Sequence, residues 1–160
     1  MMNGQQEGKL FVQSDKQEFV RRFMICEKSC GAVLYYEADR TRVYLVEKML
    51  KGHQSLCKGH VEGNETEHET AAREILEETN LKIRFVDGFR EYIEYSPYSD
   101  CLKEVVFFLA KTESMNVFAQ PEEVSSIFWL SFEEALESLT YESDRAILHK
   151  ADDYLNQLAL

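Results

Sequence analysis

Three glutamates, Glu74, Glu77 and Glu78, are the residues whose type and spacing first suggest chemistry. In a helix they occupy positions i, i+3 and i+4, so their carboxylates would be close neighbours on one face. Like charges at this spacing cost about 0.2–0.5 kcal/mol per pair, and Arg73 can offset only part of that cost. Such a group is either a solvated acidic face or a carboxylate site for a hard divalent cation. Helical periodicity alone favours the acidic face.

The helix that carries these glutamates has clear start and stop signals. Thr66, followed three residues later by Glu69, fits a capping box, and Asn80 suits the left-handed position after a helix that runs to Thr79. The apolar residues centre roughly 140° from the glutamates and are Ala71, Ala72, Ile75 and Leu76. The sequence therefore predicts a helix that buries one face and presents its carboxylates to solvent on the other.

Segments rich in valine, isoleucine and aromatic residues predict a sheet around this helix. The segments FMICEKSCGAVLYYEA and TRVYLVEKM, joined by the polar turn Glu37–Thr41, are typical of a hairpin, and KGHQSLCKGHVEGN is typical of a glycine-punctuated loop. Further strands are predicted around residues 82–95 and 104–111 and in SSIFWLS.

Two more helices are predicted towards the end of the chain. Ser131 and Glu134 form a second capping-box pair. An amphipathic helix is expected from about Ser143 to Leu158, with an apolar side formed by Ala146, Ile147, Ala151, Tyr154, Leu155 and Leu158. We expect residues 23–160 to form one domain. Residues 1–22 are an N-terminal extension or leading element, in which Phe19 and Val20 could belong to a short helix or strand.

Composition limits the classes of protein that fit. The chain has 160 residues, 44% of them hydrophobic, and a net charge of -11, which is enough apolar material for one core and too acidic for a groove that binds duplex nucleic acid. No apolar run approaches a membrane span, and the first residues are too polar for a signal peptide. The four cysteines form no CxxC pair, so four reduced thiols and a soluble, cytoplasmic protein are expected.

The residues before the helix resemble a known motif. Gly59, Glu65 and the run from Arg73 to Leu81 have the spacing of the Nudix box, in which Gly, five residues, Glu and seven residues precede Arg-Glu-aliphatic-any-Glu-Glu-any-Gly-aliphatic. Every fixed polar position is matched. The one departure is Asn80 where the family has Gly, and Asn is the next best residue for a left-handed helix end.

The resemblance implies an α/β protein with the Nudix fold, a mixed β-sheet sandwiched between helices (α/β/α). It also implies hydrolysis of a nucleoside diphosphate linked to another group, with Mg²⁺ as cofactor and Mn²⁺ as a possible substitute. By this resemblance Glu77 and Glu78 are the principal metal ligands, and Glu74 is a further ligand or the base that orients the water. Arg73 would orient the acids, and the Gly59 carbonyl would contact the metal. Glu65 would hold the loop or contact the metal through a water.

Over about residues 26–155 the chain is similar to the asymmetrical diadenosine tetraphosphate hydrolases, a branch of this family, through KGHVE, KEVVFFLA and EEVSSIFWLSFEEAL. The resemblance implies phosphate contacts by Lys58, His60 and Lys103, a nucleobase contact by Tyr95, and a further acidic ligand or general base at Glu123. The alternatives are an exposed loop lysine, a histidine that packs the loop, and an ordinary surface glutamate.

Two departures from the branch concern recognition of the base. Where many relatives have Trp-x-x-Pro-Lys-Gly, this chain has QSLCKG, with Cys57 in place of the proline, and Ile127 stands where the branch has a base-stacking tyrosine. Adenine recognition is therefore expected to differ. Of Tyr92, Tyr95 and Tyr98 we expect at least one in the core, and we expect Trp129 there too.

Three functions are compatible with these residues. The first is hydrolysis of dinucleoside polyphosphates, with asymmetrical cleavage of diadenosine tetraphosphate to ATP and AMP as the best candidate. The second is a broader nucleoside triphosphate, NDP-X or RNA 5′ pyrophosphohydrolase. The third is a non-catalytic Nudix module for ligand sensing or protein binding, which loss of a box glutamate would mark, and none is lost here. A small-molecule nucleotide is the expected partner of a monomer or homodimer.

Overall fold

The computed structural model describes residues 17–18 and 24–160. The expectations for the N-terminal extension, including a helix or strand at Phe19 and Val20, otherwise lie outside the described residues. Residues 25–158 contain seven strands and three helices: β1 (Ile25–Ala38), β2 (Thr41–Met49), β3 (Gln54–Ser55), β4 (Cys57–His60), α1 (Glu67–Thr79), β5 (Arg84–Tyr95), β6 (Leu102–Lys111), β7 (Val124–Leu130), α2 (Phe132–Ser138) and α3 (Glu142–Leu158).

The strands form one mixed sheet in the order β3-β2-β1-β6-β5, with β4 paired to β1 and β7 paired to β2. The pair β1 and β6 is parallel, and the other pairs are antiparallel. One apolar cluster joins the sheet to α2 and α3 through Ala135, Leu139 and Leu148. A second joins it to α1 through Ala71 and Ile75. The sheet therefore lies between helices, which confirms the predicted α/β/α architecture.

The β1–β2 hairpin is present as predicted. Its turn has Asp39 and Arg40 at positive φ angles of 52° and 63°, the conformation that a tight hairpin turn needs. The loop expected after β2 instead contains β3 and β4. Because Gly31 on β1 has no side chain, Cys57 and Lys58 of β4 can pack directly on it, where a Cβ atom would overlap the Cys57 carbonyl oxygen. No local pattern in the sequence indicates this cross-strand contact.

Helix α1 has the predicted capping box between Thr66 and Glu69, and it ends at Asn80 with a φ of 63°. The predicted buried face is only partly correct. Leu76 is 47% exposed, whereas Glu78 is 1% exposed. The segment after β6 covers the last turn of the helix, since the backbone N–H of Phe118 bonds the Thr79 carbonyl and that of Gln120 bonds the Glu78 carbonyl. This cover turns Glu78 into an interior residue.

Helix α3 begins at Glu142 and buries Ile147, Ala151 and Leu155, which lie on the apolar side that the sequence predicted. Leu158 is 58% exposed, so its assignment to that side was wrong. Residues 156–160 are all exposed, although Asn156 still accepts a hydrogen bond from Arg42 of β2 at 3.0 Å.

The expectation of four reduced cysteines was wrong. Cys26 and Cys101 form a disulfide with their Cα atoms 5.3 Å apart, and Cys30 and Cys57 are free and buried. The bonded pair is 75 residues apart in sequence. Parallel pairing of β1 with β6 sets Ile25 beside Leu102 and so brings the two cysteines together. The spacing of the cysteines along the sequence does not indicate this pairing.

Two aromatic expectations also need correction. Tyr92, Tyr95 and Tyr98 are 50%, 45% and 59% exposed, so none is in the core. Tyr92 and Tyr95 lie on the edge strand β5, and Tyr98 lies in the loop that follows it. Trp129 is only partly buried: it packs on the margin of the α1-side cluster, and its indole N–H donates to the Met115 carbonyl at 3.1 Å.

Candidate active site

The short strand β4 separates the residues of the predicted site into two groups. Side chains alternate across a strand, so Cys57 and Gly59 face one side and Lys58 and His60 the other. Cys57 contacts Glu78 of α1, and a Cβ atom on Gly59 would overlap the Glu74 carboxyl group. The α1 face of β4 therefore holds carboxylates, and glycine is required there by the close approach of Glu74.

Arg73 connects the box loop to the helix. Its guanidinium donates hydrogen bonds to Glu65 at 2.7 and 3.0 Å, to Glu74 at 2.9 Å, to Glu77 at 3.2 Å and to the His60 carbonyl at 2.9 Å. A planar fork of donors suits this role. Arg73 thus holds two predicted metal ligands, Glu74 and Glu77, in fixed positions beside β4.

Glu65 is the best-satisfied acid in the box. Besides the two bonds from Arg73, it accepts hydrogen bonds from the Thr70 hydroxyl at 3.1 Å and the Glu62 backbone N–H at 2.9 Å. The hydrogen bond from Arg73 is the largest cause that lowers the pKa of Glu65 to about 2. With its oxygens occupied in this way, Glu65 holds the loop on the helix.

Glu78 lies in the opposite electrostatic situation. It is 1% exposed and accepts a hydrogen bond from the Cys57 thiol at 2.8 Å. Burial, followed by the charge of neighbouring Glu47, raises the pKa of Glu78 to about 9. Glu47 on β2 is also 1% exposed, and burial raises its pKa. The exposed Glu123, in the loop before β7, is close enough for its charge to raise the pKa of Glu78 further.

The other two box acids are more accessible. The Glu74 side chain is 12% exposed and that of Glu77 is 49% exposed. Burial raises the pKa of Glu74, although its hydrogen bond with Arg73 opposes the shift. Acids of graded burial therefore converge on the α1 face of β4 from three places in the chain: β2, the box helix and the loop before β7.

These residues fit a divalent cation. Carboxylate oxygens are the ligands of hard cations. Gly59 leaves a cradle beside Glu74 that a Cβ atom would fill, and Glu47 Oε1 is buried without a hydrogen-bond partner among the described residues. Buried carboxylates without neutralising groups are costly, so a cation would complete this end of the site.

The other face of β4 opens on a cavity of about 380 Å³. Lys58 and Tyr95 line it together with His53, Tyr141 and Asp144. The rings of His53 and Tyr141 are 5.8 Å apart at one wall. Asp144 is 3% exposed and is hydrogen-bonded to the backbone of Leu56, which fixes α3 against the segment before β4. The cavity thus has aromatic walls and both signs of charge.

A basic cluster adjoins this cavity. Lys103 on β6 pairs across the sheet with Tyr95, and its ammonium lies 5.8 Å from the centre of that ring. The same ammonium is 3.4 Å from His60 Nε2 and 3.8 Å from a Glu27 carboxylate oxygen. The structure therefore brings Lys58, His60, Tyr95 and Lys103 to the face of β4 that lies opposite the carboxylates.

Sequence reasoning missed Glu47, Cys57, His53, Tyr141 and Asp144. Glu47 shares a strand face with Leu45, which is 1% exposed, so an acid on an otherwise apolar face was the available signal. From the sequence, Cys57 was interpreted only as the absence of the proline that many relatives have, not as a residue of the site. His53, Tyr141 and Asp144 belong to separate loops and a helix, and only the tertiary fold brings them together.

Within residues 17–18 and 24–160, no helix has the length and apolar composition that a membrane span requires. The fold defines a class of protein, the hydrolases that act on phosphoric anhydride bonds.

A family model for the NUDIX domain matches residues 28–151, and the chain belongs to the NUDIX family. The Nudix fold and the pyrophosphohydrolase activity predicted from the box are thereby confirmed. Hydrolases of this family generally need a divalent metal.

The relatives point to one branch of the family. The chain is 31% identical over 140 residues to the asymmetrical bis(5′-nucleosyl)-tetraphosphatase of Mus musculus, covering 80% of this chain and 95% of that protein. It is 26% identical over 144 residues to the same enzyme of Sus scrofa, covering 82% and 97%. A C. elegans Ap4A hydrolase in a binary complex superposes with a TM-score of 0.74 at 25% identity, covering 82% of this chain and 98% of that one.

Proposed function

We propose that this protein hydrolyses dinucleoside polyphosphates, and that its best substrate is diadenosine tetraphosphate, cleaved asymmetrically to ATP and AMP with Mg²⁺. The observation that carries the proposal is the division of the site by β4, with carboxylates on one face and lysines beside an aromatic cavity on the other. A long phosphate chain needs both a place to be cut and a place to be held. The names of the relatives support the same choice.

Mg²⁺ would be held by the carboxylates of Glu74, Glu77, Glu78 and Glu123 and by the carbonyl oxygen of Gly59, with Mn²⁺ as a substitute. When bound, the cation neutralises phosphate charge and activates water as a nucleophile. The proposal is supported by the close approach of Glu74 to Gly59, by the burial of Glu78 beside Cys57 and by the proximity of Glu123 to Glu78.

The chain's own residues orient the reacting groups. Arg73 fixes Glu74 and Glu77 through hydrogen bonds, so neither carboxylate has to be ordered when substrate binds. We assign Glu74 or Glu123 as the group that orients the attacking water and accepts its proton. Glu74 is held rigidly, whereas Glu123 is exposed on a loop, which favours Glu74 for positioning.

Phosphates remote from the cleaved bond would contact Lys58, His60 and Lys103. The Lys103 ammonium and His60 Nε2 are already neighbours at 3.4 Å, so a phosphate there would meet two nitrogen groups that the fold brings together. Tyr95 is 45% exposed and forms part of the cavity wall, and in this proposal it contacts the base of the distal nucleoside. In this way the cavity would select substrates that have a second nucleoside.

Residues 23–160 are proposed to act as one catalytic domain, as a monomer or homodimer. The expectation of a cytoplasmic location stays a prediction.

A product screen with Mg²⁺ tests the proposed function. The purified chain is incubated with diadenosine tetraphosphate, capped and triphosphorylated RNA, nucleotide sugars and ADP-ribose, and the products are separated by chromatography. We expect ATP and AMP in equal amounts from diadenosine tetraphosphate at the highest kcat/KM of the set. Two molecules of ADP, or a preference for RNA or sugar nucleotides, would contradict the proposal. No turnover of any compound, with binding retained, would indicate a ligand-sensing module instead.

A further inference from the structure

The interior group formed by Glu47, Cys57 and Glu78 lies just behind the exposed box carboxylates. One ligand atom from each residue, two carboxylate oxygens and the cysteine sulfur, lies within 4.8 Å of the others. All three residues are 1% exposed. They come from β2, β4 and α1, so three separate elements of the fold position them.

Glu47 and Glu78 are hydrogen-bonded to each other, and the charge of Lys58 lowers the pKa of Glu47, but no ion pair in the described part of the chain neutralises either acid. Among the described residues no lysine or arginine forms an ion pair with Glu47 or Glu78. Glu47 Oε1 has no hydrogen-bond partner within that part of the chain, although it is buried. Buried polar atoms are nearly always paired, and an unpaired one in a native protein calls for a ligand, a water or an ion.

The chemistry of the three ligands points to a particular kind of cation. Mg²⁺ prefers oxygen ligands and keeps several waters, neither of which a buried sulfur allows. Zn²⁺ and similar borderline-soft ions bind thiolate and carboxylate together, with three protein ligands and one open position. Around tetrahedral Zn²⁺, neighbouring sulfur and oxygen ligands are about 3.5 Å apart. The Cys57 sulfur and Glu78 Oε2 are 2.8 Å apart, so these two atoms need to move apart only slightly to bind the same ion.

We propose that Glu47, Cys57 and Glu78 form a second metal site, specific for thiophilic divalent cations of the Zn²⁺ type, that shares Glu78 with the proposed magnesium site. Binding forms a metal–sulfur bond at Cys57, and the thiol proton, together with any proton held by the two carboxyl groups, passes to the buffer. Because Glu78 cannot serve both ions fully, Zn²⁺ at this site opposes activation by Mg²⁺. Only this competition rests on the proposed function, since binding requires no substrate.

Cobalt binding tests the site directly, because Co²⁺ replaces Zn²⁺ and absorbs by charge transfer when a thiolate binds it. The full chain is titrated with Co²⁺ without reductant, so that the Cys26–Cys101 disulfide stays intact. We expect one equivalent to produce the thiolate band and Zn²⁺ to displace it. The band should be absent in Cys57→Ser and retained in Cys30→Ser, a matched control at the other buried free cysteine.

Glu47→Gln keeps the shape of the side chain while removing its charge. Competition with a chromophoric chelator should show Zn²⁺ bound about 10–100-fold more weakly by this variant and by Cys57→Ser than by the parent chain. Circular dichroism establishes that each variant is folded. A Cys57→Ser variant that is folded and keeps the band and the affinity would overturn the site.

A kinetic measurement then separates the site from the proposed function. Zn²⁺ added at fixed Mg²⁺ should inhibit hydrolysis by the parent chain and by Cys30→Ser, and the inhibition should be at least tenfold weaker in Cys57→Ser. If the cobalt band appears as expected but Zn²⁺ inhibits both cysteine variants equally, the metal site stands and the shared role of Glu78 is wrong. A chain that binds Co²⁺ through Cys57 and hydrolyses none of the nucleotides keeps the site and loses the proposed function.

Discussion

The two ends of the box helix hold the same residue type in opposite states. In the loop just before its first residue, Glu65 accepts hydrogen bonds from Arg73, and its pKa falls to about 2. At its C-terminal end, Glu78 is buried beside a second acid and has no ion pair among the described residues, and its pKa rises to about 9. One end is complete without a ligand, and the other needs a proton or a cation.

This difference indicates that the two ends of the site have different functions. The Arg73 cluster is a fixed support that contributes orientation, because its hydrogen bonds are already made. The Glu78 end is poised to bind, because its carboxylate gains most from a positive charge. A mutation in the Arg73 cluster should therefore affect mainly stability and the geometry of the carboxylates. A mutation at the Glu78 end should affect mainly metal-dependent turnover.

The largest effect is expected from the binding end. Glu78→Gln should lower kcat by about 10³-fold or more, since loss of a charged metal ligand removes several kcal/mol of transition-state stabilisation. Its free energy of unfolding should be unchanged or higher, because a neutral amide avoids the cost that burial imposes on the Glu78 carboxyl group, whose pKa is raised to about 9. Steady-state kinetics and urea unfolding check both, with exposed Glu137→Gln on α2 as control.

Glu77→Gln tests the same ligand role at a side chain that is 49% exposed and lies on the solvent side of the site. A similar loss of kcat would support a ligand role for both glutamates. Unchanged turnover in both variants would remove the carboxylates from the reaction.

A smaller effect is expected from the support. Arg73→Ala removes the bonds that fix Glu65, Glu74 and Glu77 and should destabilise the fold by about 1–3 kcal/mol, with a fall in kcat of about 10–100-fold from misplaced carboxylates. Arg73→Lys keeps the charge but not the fork of donors, so it should recover most of the stability and little of the kcat. Equal recovery of both would mean that charge alone matters at this position.

The same two ends show how far sequence reasoning reached. The box, the capping residues and the left-handed Asn80 are local patterns, and the structure has the helix they predict. The burial of Glu78 depends on Phe118 and Gln120, which cover the helix end from a segment about 40 residues away. No local pattern in the sequence could indicate this burial. Glu47 and Cys57 likewise reach the site only through strand pairing. Local signals identified the chemistry, and tertiary contacts determined which carboxylates are interior.

The phosphate-binding face should respond more modestly. Lys103→Ala is expected to raise KM for diadenosine tetraphosphate about tenfold, the loss of roughly 1.4 kcal/mol of binding, with kcat and activity on a short diphosphate substrate nearly unchanged. Lys111→Ala on the same strand is a matched control, since its ammonium pairs with Glu113 away from His60 and Tyr95. Equal losses on both substrates would move Lys103 to the reacting centre, and no loss would return it to an ordinary surface lysine.

The smallest effect concerns stability at the helix start, where Glu67 pairs with Lys28 at 2.7 Å and Arg90 at 2.8 Å. The hydrogen bond from Arg90 is the largest cause that lowers the pKa of Glu67 to about 2, compared with about 4.3 for an unfolded chain. A group with a depressed folded pKa stabilises the fold above its unfolded value and loses that contribution as the pH falls through the folded one. The stabilisation should therefore be complete above about pH 5 and disappear towards pH 2.

Because the pair is partly exposed, Glu67→Gln should cost only about 0.5–1 kcal/mol at neutral pH. Urea unfolding of the parent chain and the variant between pH 7 and pH 2.5 measures the difference, which should narrow steadily below pH 4.5. Glu133→Gln occupies the first turn of α2, so it controls for the charge at a helix N-terminus without these partners. A difference that stays constant down to pH 2.5 would show that Glu67 acts through packing, and the contrast between paired and unpaired acids would then apply only within the site.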